Sequence, residues 1–74
     1  MDFGQALTAL KNGDRVARVG WNGKGMYIYL EPELKLEEMA FEPVICMFTS
    51  VGTYQPGWVC SQADMLANDW MIAP

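Results

Sequence analysis

Residues 15–30, RVARVGWNGKGMYIYL, hold two short alternating runs on either side of a glycine-rich reversal. In 15–19, Val16 points to one side, and Arg15 and Ala17 to the other. In 26–30, Met26, Ile28 and Leu30 share one face, and Tyr27 and Tyr29 share the opposite one. This period of two is that of a β-strand. Between the runs, Asn22-Gly23 is a tight-turn signal. The stretch therefore predicts two antiparallel strands. Two tyrosines on the second face imply that this face is covered as well, with another subunit as the expected cover.

On the N-terminal side, residues 2–12 read as a helix. Phe3, Ala6, Leu7 and Leu10 fall at i, i+3, i+4 and i+7. Asp2 with Gln5 three residues later forms a capping box, and Gly13 supplies the positive φ that ends helices. On the C-terminal side, residues 31–43 contain five glutamates and two prolines. Leu34, Leu36 and Met39 give no clean period there, so a loop with one helical turn at 35–40 is expected. Residues 44–49 predict an apolar strand, Ser50-Val51-Gly52 a turn, and 53–55 a return strand that Pro56-Gly57 breaks. Ser61-Gln62-Ala63-Asp64 is a second capping signal, for a short helix over 62–68, and 69–72 predict a last strand. The expected fold is α+β: a small antiparallel sheet of four or five strands, an N-terminal helix and a second short helix.

The chain of 74 residues is expected to form one domain, 1–74. Hydrophobic residues make up 51%, against 19% charged, which excludes a disordered acidic tail. The formal charge of −4 argues against a DNA- or RNA-binding surface, because it repels phosphate globally. No apolar run approaches the roughly 18 residues of a membrane span. The first residues, MDFGQALTALKNGDR, carry no basic segment followed by an apolar one, so the expected location is the cytoplasm. Below about 70–80 residues one core supplies little stability, and disulfides, metals or partner chains usually assist. Cys46 and Cys60 lack metal-site spacing and there is no histidine, so they read as buried thiols in a reducing compartment. Three Trp, three Tyr, three Phe and six Met exceed what one small core covers, which points to a homo-oligomer.

The same inventory bears on chemistry. Without histidine there is no Ser-His or Cys-His pair. The glutamates of 31–43 read as a solvated face, with no EF-hand pattern. GWNGKG is not a phosphate-binding P-loop. No catalytic residue, metal or cofactor is expected. All five cations, Lys11, Arg15, Arg18, Lys24 and Lys35, lie within residues 11–35. They are either surface solubilisers or a local pocket for a small anion, for which the arginine fork is well suited. Trp21, in a polar glycine-rich loop, reads either as packing or as a platform for a base, and Trp58 and Trp70 read more simply as packing.

The opening block, MDFGQALTALKNGDRVARVGWNGKGMYIYL, and the closing block, ICMFTSVGTYQPGWVCSQADMLANDWMI, together resemble the Thoeris anti-defence protein 2 family of phage sponge proteins. GWNGKGM and W-x-x-S-Q-x-D-x-L-x-x-D-W at this separation carry the resemblance. It implies a non-enzymatic protein of the infected host's cytoplasm that sequesters, intact, a cyclic nucleotide immune signal. The implied ligands are glyco-cyclic ADP-ribose and, for some members, cyclic dinucleotides. It also implies a homo-oligomer, commonly a tetramer, with pockets between subunits. Carried onto this chain, the implied ligand-binding residues are Arg18, Trp21, Asn22, Gly23, Lys24, Trp58, Ser61, Gln62 and Asp64. Trp21 would stack on a base, Arg18 and Lys24 would attract phosphates, and Gln62 and Asp64 would bond a base edge or ribose. Asp64 has the alternative of only capping its helix, and Asp69 and Trp70 of only fixing the last strand. Two departures stand out: 31–43 is short and acidic beside many members, and Phe48 occupies a position where many carry Lys. Some homologues are described as anti-CRISPR proteins, so an inhibitor of a CRISPR effector or another defence nuclease, acting through an acidic surface, is the alternative.

Overall fold

In a computed structural model, which describes residues 1–33 and 35–74, the chain runs α1 (Phe3–Lys11), β1 (Val16–Arg18), β2 (Tyr27–Glu31), β3 (Lys35–Leu36), β4 (Met39–Ala40), β5 (Val44–Phe48), β6 (Tyr54–Pro56), α2 (Gln62–Leu66) and β7 (Trp70–Ile72). The α+β expectation holds. Five strands form one antiparallel sheet in the order β6-β5-β2-β1-β7.

Both helices begin where the capping boxes place them. The Asp2 carboxylate accepts from the Gln5 amide and the Gln5 side chain accepts from the Asp2 amide, at 2.8 and 2.9 Å. Ser61 and Asp64 repeat the pattern at the start of α2. Gly13, at φ 90°, turns the chain out of α1.

Register assigns the sheet's two faces. Val16 pairs with Ile28 and Ile72, Arg18 with Trp70, and Ile28 with Met47, so these residues share the inner face. There they meet Ala6, Ala9 and Leu10 of α1. Ala6, Leu10, Val16, Ile28 and Trp70 are essentially fully buried and form the core. Phe3, Leu7, Ile45 and Met47 pack around it. Ala9 joins the expected apolar stripe of α1, since the helix packs against β1, β2 and β7. The outer face carries Ala17, Tyr27, Tyr29, Cys46, Phe48, Tyr54 and Met71, and the core helix α1 lies on the opposite side.

Three details differ from the sequence expectation. Where 35–40 predicted a helical turn, β3 and β4 form a two-stranded ribbon, with Lys35 opposite Ala40 and Leu36 opposite Met39. Its turn places Glu37 and Glu38 at φ 51° and 67°, the conformation that fits the twist of a two-residue hairpin but is usually filled by Asn and Gly. Leu34 lies outside the described residues. The reversal between β1 and β2 is a loop over 19–26 with its left-handed residue at Gly25, φ 74°, rather than a tight turn at Asn22-Gly23. Finally, β6 extends through Pro56. As an edge strand it pairs with β5 alone among the described residues, and a missing N–H is tolerated there.

Candidate functional site

The residues singled out from sequence fall into two groups. Arg18 leaves the end of β1 on the inner face. Its Nε donates to Asp69 Oδ1 at 2.8 Å and its Nη1 to Asp64 Oδ1 at 2.9 Å. Asp64, buried on the first turn of α2, also accepts the Trp21 indole N–H at 3.0 Å, and its backbone carbonyl accepts that of Trp70 at 2.9 Å. Asp69 Oδ2 accepts the Gly20 amide at 2.7 Å. A Cβ on Gly20 would lie 2.8 Å from that oxygen, so glycine is what allows the approach.

Around this polar centre the three tryptophans meet edge to face. Trp21 and Trp70 are 5.4 Å apart between ring centroids, Trp58 and Trp70 6.2 Å, and Trp21 and Trp58 6.3 Å. Such contacts add to burial, and each indole N–H of Trp21 and Trp70 has its acceptor. Arg18, Trp21, Trp58, Ser61 and Asp64 are thus brought together, with Asp69 and Trp70 completing the cluster. Asn22, Lys24 and Gln62 are exposed, and no side-chain hydrogen bond or ion pair ties them to it among the described residues. Gly23 is half-buried against Met26 and Ser50.

Electrostatics locks this arrangement. Burial works against the charge of Asp64, but hydrogen bonds from Arg18, Trp21 and Ser61 prevail and hold its carboxyl below the ordinary value. The Arg18 guanidinium does the same for Asp69, against a smaller opposing effect of burial. The two carboxylates hold Arg18 charged. As it stands, the guanidinium is an internal cross-link between β1, α2 and the start of β7.

The other face of the sheet carries what the sequence reading did not single out as a site. Arg15 precedes β1, with its carbonyl held by the Ala73 amide at 2.8 Å. Its guanidinium carbon lies 4.6 Å from the centroid of the Tyr27 ring. It makes no ion pair or side-chain hydrogen bond among the described residues, in contrast to Arg18. Tyr27 stacks on Phe48 at 5.0 Å, and Tyr54 meets Tyr29 edge-on at 5.9 Å and Phe48 at 5.0 Å. A cavity of about 220 Å³ opens here, lined by Gly13, Arg15, Tyr27, Tyr29, Leu30 and Tyr54. Burial, with a bond to Cys46, pushes the Tyr29 hydroxyl up to about 12, so it stays a protonated donor. The alternation of Tyr27 and Tyr29 was the sequence signal for this face. The convergence of Arg15 and Tyr54 on it depends on register.

Among the described residues no three acidic or thiol side chains converge to hold a metal ion, and no helix is long and apolar enough to cross a membrane. Cys46 is buried on the sheet and Cys60 half-buried beside α2, both as free thiols. Burial, helped by the Asp64 charge, raises the Cys60 thiol above its ordinary value.

Fold and side-chain geometry define a small α+β protein whose sheet is packed on one face by a helix and edged by a tryptophan–arginine–carboxylate cluster. The chain belongs to the Thoeris anti-defense 2-like domain family, matching it over residues 1–73. It is 40% identical, over 83 aligned residues, to Thoeris anti-defense 2 of Bacillus phage SP01, an alignment that covers 97% of this chain and 93% of that protein. The clustered residues Arg18, Trp21, Trp58, Ser61, Asp64, Asp69 and Trp70 all lie within the matched span.

Proposed function

We propose that this protein is a phage anti-defence sponge acting against Thoeris. It binds a cyclic nucleotide immune signal in the host cytoplasm and holds it without cleaving it. The observation that carries the reading is the family match over residues 1–73, together with a named Thoeris anti-defense 2 relative aligned along nearly its whole length. The ligand is glyco-cyclic ADP-ribose, a cyclic dinucleotide, or both. The mechanism is mass action: free signal falls only as far as free sites and Kd allow, so the protein must be abundant and bind tightly. The acting form is a homo-oligomer, a tetramer in this reading, with pockets between subunits. The aromatic outer sheet face, with Tyr54 exposed, supports such an assembly, since aromatics and Met are enriched at interfaces.

The test is isothermal titration of the purified protein with glyco-cyclic ADP-ribose and a panel of cyclic dinucleotides. Each mixture is then heat-denatured and the supernatant chromatographed. Tight binding with release of intact ligand is the expected result. Release of an altered ligand would make the protein an enzyme, and no binding across the panel would refute the sponge.

The second reading, inhibition of a CRISPR effector or other defence nuclease, draws on one observation. Glu37 and Glu38 stand exposed at the tip of the β3–β4 ribbon, within a segment of five glutamates. That tip offers negative charge to a basic groove.

A further inference from the structure

We infer that the phosphate-bearing part of the ligand is held on the outer face of the sheet, in the cup of Arg15, Tyr29 and Tyr54, rather than at the tryptophan cluster. The inference rests on the cyclic-nucleotide reading above and assigns it a place. A nucleotide asks for two things: a cation with free donors for its phosphate, and flat apolar surface for its base. At the tryptophan cluster the charge of Arg18 is already offset by Asp64 and Asp69, at 2.9 and 2.8 Å, so the cation there is not free to pair with a phosphate. A phosphate arriving there would be repelled by the two carboxylates that Arg18 already neutralises.

The outer cup offers both. Arg15 is exposed and has no carboxylate partner among the described residues, and its stacking on Tyr27 at 4.6 Å orients the guanidinium without using a hydrogen-bond donor. Tyr29 and Tyr54, edge to face at 5.9 Å, both line the cavity and give it a ring surface. Gly13, at φ 90°, lines the cavity without a side chain. At about 220 Å³ the cavity takes one base with its phosphate. This falls short of the roughly 300–1,000 Å³ that encloses a whole small-molecule ligand. The rest of a cyclic dinucleotide or glyco-cyclic ADP-ribose would stand out of one chain and be enclosed by a second copy over the same open face, which would bring its own Arg15.

The experiment compares wild type with Arg15→Gln, Arg15→Lys, Tyr54→Ala and the charge-matched control Lys11→Gln. Each is titrated with glyco-cyclic ADP-ribose and cyclic di-GMP, and circular dichroism confirms folding. Arg15 and Tyr54 are both exposed, so the fold is expected to survive. Loss of the guanidinium should weaken binding by roughly 10–100-fold and loss of the Tyr54 ring by about 10-fold. Arg15→Lys, which keeps the charge but not the fork, should fall between, and Lys11→Gln should stay within about 2-fold. Amide and ring resonances of Gly13, Tyr29 and Tyr54 should shift on titration of wild type, ahead of the indole N–H signals of Trp21 and Trp70. If wild type binds but the Arg15 and Tyr54 variants match it, or the indole signals move first, the cup is refuted and the sponge stands. If wild type binds neither probe, the sponge reading fails for these signals and the cup falls with it.

Discussion

Arg18 and Asp64 lie 46 residues apart and are joined by a 2.9 Å ion pair whose carboxylate oxygen also accepts the Trp21 indole N–H at 3.0 Å. One oxygen therefore ties β1, the loop after it and the first turn of α2. Asp64→Ala removes that acceptor, leaves the Trp21 donor unmatched and opens the capping box of α2. Losses of this kind amount to about 2–3 kcal/mol, or roughly 10 °C or more in Tm for a domain of this size. Asp64→Asn keeps an oxygen for Trp21 and should lose less. Thermal melts followed by circular dichroism check both, and an unchanged Tm for Asp64→Ala would show that the cluster contributes nothing to stability.

Acid should loosen the same cluster. Asp64 and Asp69 both have folded values below the ordinary 3.8. The unfolded chain then binds more protons than the folded one across that interval, so stability rises with pH there. The contribution is fully present above the unfolded value and is lost as pH falls through the lower folded values. Tm should therefore hold from neutrality to about pH 5 and drop steeply below about pH 4. Asp69→Asn should flatten part of that drop. A wild-type Tm that is level between pH 5 and 3 would contradict the argument.

What was legible in the sequence was local. The capping boxes of Asp2 with Gln5 and Ser61 with Asp64 act within one turn, so both helices start where they are expected. Alternation in 15–19 and 26–30 places Val16 and Ile28 inward and Tyr27 outward, because a strand's period is a property of its own residues. The partners of Arg18 were not legible. They depend on β7 pairing beside β1, Arg18 opposite Trp70, across more than fifty intervening residues. Arg15 illustrates the same limit: alternation alone sets it on the face opposite Arg18, but only the folded register leaves Arg15 with no carboxylate partner among the described residues and gives Arg18 two. The Glu37-Glu38 turn was missed because its residues are not those that favour positive φ.

Gly23 has a packing reason of its own. Its φ is not positive, but a Cβ there would run into the Met26 side chain and lie 2.9 Å from Ser50 Cβ. Gly23→Ala should therefore push the loop over 19–26 away from the turn after β5 and cost about 1–3 kcal/mol, as overpacking does. A melt with Gly25→Ala alongside separates the causes. Gly25 has open space at its Cβ but φ 74°, so its penalty comes from backbone strain alone. If Gly23→Ala melts like wild type, Met26 and Ser50 give way freely and the glycine is not required by packing.

The ribbon tip separates the two functional readings. Glu37 and Glu38 are exposed and both lie in the left-handed region, at φ 51° and 67°. Replacing them with Asn and Gly in that order should relieve strain and slow amide exchange in β3 and β4, since these residues adopt positive φ at little cost. Replacing both with Lys changes the tip's charge by four units while leaving the tryptophan cluster and the Arg15 cup untouched. A sponge so altered should bind its cyclic nucleotide within about 2-fold of wild type at physiological salt, because neither residue lines the cup and salt screens exposed charges that make no direct contact. An inhibitor that presents the tip to a basic nuclease groove should instead lose most of its affinity, since like charges would then meet across the interface. Nucleotide titration and nuclease-inhibition assays on the one double variant, Glu37→Lys with Glu38→Lys, thus give opposite results under the two readings.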